Sequence, residues 1–453
     1  MKTVFSKRVL ILFFTFLSIL FLLGPYGDSR VSAIDQNTYK SLKTFSEVLD
    51  MVEKNYVEPV DGEKLMLGAI NGMIKSLDPH SVYMTAEMYK ELEVETRGSF
   101  GGLGIEITIL KDVLTVVSPI EDTPAYNAGI KAGDQIIKID DKSTKDITIT
   151  EAVKKLRGPR DTRVTITIMR EGFAKPKDFV ITRSTIKIKA VRSKIYDNQI
   201  GYIRIATFQE RAADEVKKAL REVAANANPL TGLVIDLRNN PGGLLNQSVD
   251  VSDLFLKSGI IVSTRGRAQG TESRAVAKDD GDEPTCPIVV LVNEGTASAA
   301  EIVSGALQDN GRAVILGTQT FGKGSVQTVI PMEGGAALKL TTSKYYTPKG
   351  RSIQAEGITP DITVKLIRPA EEKNGTEEQL MRLRERDLQG HIKSLKELEA
   401  KPENSKKDSK EELKKDTKKE PKKDVDELDK DNQLKFAIDI LKSLDILKKN
   451  MKG

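Results

Sequence analysis

The sequence predicts a multidomain protein of the mixed α/β class, and three observations carry that prediction. Its 453 residues, 39% of them hydrophobic, are enough for several separate cores. Continuous apolar runs at Gly232–Leu237, Ile288–Val292 and Ala313–Gly317, with helical spacing at Ala212–Ala225 and Ala299–Gln308, read as buried strands of a partly parallel sheet with helices on its faces. A glycine-rich segment, Ser99 to Ile107, opens a separate series of short β-rich runs. Composition then removes whole classes of function. A net charge of +5 over this length carries no nucleic-acid signature. The single cysteine, Cys286, cannot form an internal disulfide, and the two histidines, His80 and His391, are too few for a His-rich zinc site. Hydrolytic chemistry here must largely do without histidine.

At the amino end, residues 1–33 read as an export signal. Lys2, Lys7 and Arg8 precede an apolar run of 15 residues, Val9 to Leu23, and Val31-Ser32-Ala33 follows it. The run is shorter than the roughly 20 residues that span a bilayer, which favours a cleaved signal over an uncleaved membrane anchor. Either reading puts the rest of the chain in the periplasm or cell envelope. Residues 35–96 have a helical pattern, with Leu42, Phe45, Leu49, Val52 and Tyr56 on one face; that face packs on its own domain or on a second copy in a homodimer or higher oligomer.

Residues 97–172 form the next unit. Three glycines in Ser99-Phe100-Gly101-Gly102-Leu103-Gly104-Ile105 precede an alternating strand, Val113–Val117 and Gln135–Ile139 add short strands, Pro124 to Gly133 is a short helix closed by glycines, and a second helix starts near Thr150. This order resembles a PDZ domain. The resemblance implies that the amides around Gly102, Leu103, Gly104 and Ile105 hold a terminal carboxylate while the exposed strand edge takes the peptide as an extra strand. Arg157 or Arg160, in the turn leaving the second helix, either couples this unit to the next or is an ordinary surface arginine.

The α/β region at 185–368 carries the chemistry, in three loops that follow three buried strands. They are Asp236-Leu237-Arg238-Asn239-Asn240-Pro241-Gly242-Gly243, Asn293 to Glu301 and Gly317 to Gln327; in open α/β sheets such loops gather ligands and catalytic groups. Ser298 stands where a strand gives way to a helix, between alanines too small to shield it. It is either a nucleophile beside the Ala299 N–H or, with Glu301 three residues on, the start of a capping box. A serine needs a base, and lysine serves only when neutral, which demands desolvation. Lys323, between Gly322 and Gly324 beside Phe321, has a setting suited to burial, and Gln327 is placed to orient its amine. Gly242 or Gly243 can turn an N–H toward an oxyanion, or can simply make a turn that needs positive φ.

Beyond Pro369 the composition changes. From Lys401 to Asp431, 22 of 31 residues are charged, so residues 369–432 read as a solvated charged linker. Residues 433–450, with Leu434, Ala437, Ile440, Leu441, Leu444 and Leu447 on one face, form an amphipathic helix that must dock on its own body or on a second subunit.

Taken together, "GGLGIEI", "DLRNNPGG", "NEGTASAAEIVSGALQD", "GTQTFGKGSVQ" and "LKLTTSKYYTPKGRSIQAEGITPDI" resemble the carboxyl-terminal processing (tail-specific) serine peptidases. The resemblance implies a crotonase-like (ββα-type) protease core with an inserted PDZ domain and helical terminal segments. It implies that Ser298 is the nucleophile, Lys323 the general base and Gln327 its orienting residue, with Gly242 or Gly243 and Ala299 as oxyanion donors. The substrates are then proteins with free carboxyl termini, and neither a metal nor an organic cofactor is needed. A tail-binding adaptor without catalysis would lack the serine, the lysine or the oxyanion glycine; all three are present.

Overall fold

The computed structural model describes residues 36–367 except 111, 121 and 269, together with 384–394 and 431–451. The expected export signal at 1–33 and the charged run at 401–430 lie outside the described residues. Two compact units divide between Gly72 and Met73. In the first, α1 (Gln36–Asn55) buries none of its side chains, and Tyr39, Leu42, Val48 and Met51 are exposed. Helix α2 (Gly62–Lys75) follows it.

In the second unit the expected helical stretch is interrupted by β1 (Val82–Met84) before α3 (Ala86–Arg97) resumes it. Strand β2 (Ser99–Gly102) leads into residues 103–182. These form β3 (Ile105–Leu110), β4 (Val113–Pro119), α4 (Pro124–Asn127), β5 (Gln135–Ile139), β6 (Lys142–Ser143), α5 (Ile149–Leu156), β7 (Arg163–Met169) and β8 (Lys177–Thr182). The sheet runs β3-β4-β5-β7-β8, so β3 is an edge strand. Helix α5 starts where Thr148 and Glu151 exchange hydrogen bonds in a capping box; its Ala152 and Leu156 close a core with Leu103, Ile136, Ile166 and Ile168. The chain leaves through β9 (Ser184–Lys187), which pairs antiparallel with β2.

The remaining chain builds two sheets. In order it forms β10 (Val191–Tyr196), β11 (Ile200–Ile205), α6 (Ala212–Asn226), β12 (Gly232–Asp236), α7 (Leu245–Asp253), β13 (Ile260–Gly266), β14 (Ser273–Val276), β15 (Ile288–Val292) and α8 (Ala299–Asp309). After these come β16 (Val314–Gly317), β17 (Ser325–Pro331), β18 (Ala337–Tyr346), β19 (Ile362–Thr363) and α9 (Asn432–Asn450). The central sheet is β10-β11-β12-β15-β16-β19, parallel from β11 to β19. Every residue of β12 and β15 is buried because both faces are covered, as the continuous apolar runs required. Helices α6, α7 and α8 pack on one face. On the other face Leu434, Ala437, Ile438 and Leu441 of α9 meet Val234, Val289, Leu291 and Leu316. The terminal helix therefore docks on its own body, each buried leucine contributing about 1.5–3 kcal/mol.

The second sheet, β1-β18-β13-β14 with β17 on β18, was not foreseen. Its strands are half-exposed, as in β18, so they show no continuous apolar run. A second difference lies inside the stretch expected to be a linker throughout, where residues 384–394 are packed on the core and Glu385, in the 3-10 turn Glu385–Asp387, is buried.

Candidate active site

Strands β12, β15 and β16 are neighbours in the central sheet, so the three loops at their carboxyl ends meet. The first loop is organised by Asn240, which is fully buried. Its Nδ2 donates to the Ile205 carbonyl at 2.9 Å, its Oδ1 accepts the Gly242 N–H at 2.9 Å, and its carbonyl accepts the Ala297 N–H at 2.9 Å. A Cβ on Gly242 would stand 2.8 Å from the Ser298 Cβ. The glycine loop thus lies directly against the serine. The Gly242 N–H, one of the two expected oxyanion donors, is hydrogen-bonded to Asn240 Oδ1. At Gly243, with φ 137° and a notional Cβ 2.3 Å from the Phe208 carbonyl oxygen, no other residue fits without strain.

Ser298 has φ 55° and ψ −116°, a conformation that costs a non-glycine residue on the order of 1–3 kcal/mol. Half of a capping box is present: the Ser298 N–H donates to Glu301 Oε2 at 2.8 Å. The Glu301 N–H, however, donates to the Ser298 backbone carbonyl at 2.8 Å, so the hydroxyl is not needed to cap the helix. It meets the phenol of Tyr345 instead, whose pKa burial pushes up to about 12 against that contact.

The third loop is held at each of four consecutive residues. Phe321 donates its N–H to the Thr296 carbonyl at 3.0 Å, and its own carbonyl accepts the Glu385 N–H at 3.1 Å. The Gly322 and Lys323 N–H groups donate to Glu301 Oε1 and Oε2 at 2.8 and 2.9 Å. The Gly324 N–H donates to Gln354 Oε1 at 3.0 Å. Glu301 also accepts from the Thr320 hydroxyl, so one buried carboxylate ties the serine's backbone to the lysine's. Burial pushes its pKa up to about 7, against the pull of those four donors. Lys323 is partly buried, and burial, followed by the nearby Lys339, lowers its pKa, while Glu385, Glu301 and Asp78 act the other way. A lowered amine pKa is what a lysine base requires.

Gln327 sits at a bulge between Val326 and Gln327 and donates through Nε2 to the Ser325 and Thr341 hydroxyls at 2.9 and 3.3 Å. The Thr341 hydroxyl donates in turn to Asp78 Oδ1 at 3.1 Å. Gln327 therefore stiffens the strand beside Lys323, and the orienting contact expected on the amine itself is not among the described hydrogen bonds.

At the other glycine loop, the Leu103 and Gly104 carbonyls accept from Ala125 and Ile120 at 3.0 and 2.8 Å. In a trans peptide the N–H points opposite the preceding carbonyl, so the Gly104 and Ile105 amides face away from α4 and β4, toward the open edge of β3. Arg157 stacks on the Phe100 ring of β2, 4.4 Å from its centroid, whereas Arg160 pairs with exposed Asp161. Of the two arginines, Arg157 touches the β2–β9 ribbon that flanks residues 103–182.

Sequence reading missed Asn240, Thr320, Tyr345, Gln354, Glu385 and Asp78, and saw in Glu301 only a cap. A buried asparagine before Pro-Gly-Gly carries a weak signal; the others become neighbours only through the fold.

Comparison with known proteins identifies the family. Peptidase family S41 matches residues 199–364, a PDZ domain matches 115–170, and the activating protease CtpB N-terminal domain matches 28–88. The chain is 50% identical over 367 residues to a carboxy-terminal-processing protease of Bartonella bacilliformis, covering 80% of this chain and 83% of that protein. The chain belongs to the carboxyl-terminal processing serine peptidases. A second family member, the carboxy-terminal processing protease CtpA of Bacillus subtilis, is 38% identical over 342 residues, 75% of this chain and 72% of that one. Among solved structures, a photosystem II D1 C-terminal processing protease aligns at 29% identity and a TM-score of 0.43, over 71% of this chain and 92% of that chain. Within this family the loops around Ser298 and Lys323 belong to a serine-type peptidase.

Proposed function

We propose that the protein is an endopeptidase that holds the carboxyl terminus of a protein at the open edge of β3 and cleaves upstream with a Ser298–Lys323 dyad. The observation that carries this reading is the Glu301 carboxylate, which binds the backbone of both residues at 2.8–2.9 Å and leaves the serine hydroxyl uncommitted to the cap. Lys323 accepts the Ser298 proton as Oγ bonds to the scissile carbonyl carbon. The oxyanion is held by the Gly243 and Ala299 N–H groups. Its collapse breaks the C–N bond and the leaving amine takes the proton from Lys323; water, deprotonated by Lys323, then attacks the acyl carbon, and the proton returns to Ser298 Oγ as the ester C–O bond breaks. Gln327 acts through the strand that carries Lys323. The sheet covered by helices on both faces supports a crotonase-like core with the PDZ unit inserted before it. The exposed apolar face of α1 supports a homodimer, and the pattern of residues 1–33 supports an exported, envelope-located enzyme.

The test is digestion of peptides with free or amidated carboxyl ends, read by mass spectrometry. The free form is expected to be cleaved faster by about tenfold or more, since a hydrogen bond to a charged acceptor contributes about 1.5–3 kcal/mol. Equal rates would remove tail capture, and a Ser298→Ala enzyme that still cleaves would return the serine to a structural role.

A further inference from the structure

The sequence places Lys323 in one loop with Gln327, and the structure adds a distant element to that loop. Residues 384–394 lie across the lysine loop. Glu385, with no exposed surface, donates its N–H to the Phe321 carbonyl at 3.1 Å. Its Oε1 accepts from Gln354 Nε2 at 2.9 Å, and Gln354 Oε1 holds the Gly324 N–H at 3.0 Å. Both carboxylate oxygens stand 2.8 Å from His80 Nε2, and the His80 N–H is anchored on Asp78 Oδ1 at 2.8 Å. Arg384 Nη1 adds a bond to Gln319 Oε1 at 2.9 Å, in the loop that leads to Lys323. A buried carboxylate is retained only where its lone pairs find donors; among the described residues these are Gln354, which also holds the Gly324 N–H next to the base, and His80.

We propose that Glu385 is a positioning residue for Lys323, delivered by the segment 384–394 acting as a strap over the base loop. It holds the residues on each side of the lysine, Phe321 directly and Gly324 through Gln354. His80 fixes the carboxylate in place; it is a support of the base and not a base itself. Glu301 grips the loop from the nucleophile's side and Glu385 from the opposite end of the chain. The charged groups that face the Lys323 amine are Lys339, which favours its neutral form, and Glu385, Glu301 and Asp78, which favour the ammonium. Neutralising Glu385 therefore has two separable effects: the loop loses a support, and the amine becomes easier to deprotonate.

The proposal rests on Lys323 being the base, and the experiment separates the two ideas. Full-length wild type, Glu385→Gln, His80→Gln and Lys323→Ala are compared for kcat and KM on one peptide across pH, with thermal unfolding and peptide affinity as controls. Glu385→Gln is expected to lower kcat at least about tenfold, displacement of a reacting group by 1 Å costing up to about a hundredfold. KM should stay unchanged, and the acid limb of the kcat/KM profile should move to lower pH. His80→Gln keeps the carboxylate, so it should lower kcat less and leave the acid limb in place. If Glu385→Gln does not fold, a wild-type kcat in His80→Gln overturns the proposal. It is also overturned by a wild-type profile in Glu385→Gln, or by a kcat loss with an unmoved acid limb, which marks a purely structural part. An active Lys323→Ala enzyme defeats the dyad itself, whereas an inactive one beside an unaffected Glu385→Gln enzyme defeats only the strap.

Discussion

The loops that carry Ser298 and Lys323 are neighbours in space and opposites in construction. Ser298 is positioned locally: strand β15 ends, the chain turns through a positive φ of 55°, and α8 begins one residue later. Its nearest polar support, Glu301, is in the same helix. Lys323 stands in a loop without regular structure, and its neighbours are held by Thr296 and Glu301 from one segment, Gln354 from a second and Glu385 from a third. A strained turn at a helix start fixes Ser298 with few residues and leaves it buried beside Gly242. A neutral lysine has to be withdrawn from water and still face the serine, and one segment cannot supply walls on every side.

The largest effect expected from breaking this arrangement is at the base. Lys323→Ala should lower kcat by about 10²–10⁴-fold, the range of a general base. Lys323→Arg should do the same, because a guanidinium keeps its proton. In the wild type kcat/KM should rise with pH through the lowered pKa of the amine, and peptide affinity at the β3 edge should be unchanged in both variants. An arginine variant turning over at the wild-type rate removes Lys323 from the mechanism.

Glu301 is where the two constructions join, so Glu301→Gln sharpens the comparison. The amide retains one acceptor, and the donors it leaves unpaired are expected to cost about 1–3 kcal/mol and to lower kcat with little change in KM. The pH dependence has a definite sign. Burial raises the folded pKa to about 7 from an ordinary 4.5, so between these values the native protein holds a proton that the unfolded chain has released. The stability contributed by this group is complete at low pH and falls as pH rises through about 7. Unfolding midpoints of the wild type and Glu301→Gln should therefore differ more near pH 5 than near pH 8. A gap of the same size at both would show that Glu301 does not titrate in this window.

How much could be read in the sequence follows from the same contrast. Strands β12 and β15 were legible because burial on both faces leaves a continuous apolar run, and the glycine loops because Gly104, at φ 78°, and Gly243 occupy backbone conformations other residues avoid. Ser298 was visible and its role was not, since a cap and a nucleophile place the same residue at the same spot; the acceptor of the Glu301 N–H, the Ser298 backbone carbonyl, could not be read from the sequence. The surroundings of Lys323 were illegible for a physical reason. Glu385 stands in a stretch rich in charge, where a carboxylate is expected to be solvated, and its burial depends on His80, 305 residues away. Docking of α9 on its own sheet was equally hidden, because its apolar face suits any partner.

The smallest expected effect tests that docked helix, which supports the oxyanion loop as the strap supports the base. Arg238 opens the loop that ends at Gly243. Its guanidinium is held by Asp236 at 2.7 and 3.0 Å and by Asp431, at the start of α9, at 2.7 and 2.8 Å. Asp431 also caps α9 by accepting the Leu434 N–H at 3.0 Å. Asparagine caps a helix as well as aspartate does, so Asp431→Asn removes the ion pair and keeps the cap. Asp236 remains to neutralise Arg238, and the loss should therefore fall below the roughly 3–5 kcal/mol of a buried charge left alone, at about 1–2 kcal/mol. Burial raises the Asp431 pKa, but Arg238 outweighs it and holds the carboxyl below its ordinary 3.8. A lowered folded pKa gives stability that is complete above the unfolded value and is lost as pH falls through the folded one. The gap in unfolding midpoint between wild type and Asp431→Asn should be full at pH 7 and close below about pH 4, near the ordinary carboxylate value. A gap that persists undiminished in acid would mean that α9 is held by its apolar face alone, and that the oxyanion loop gains nothing from it.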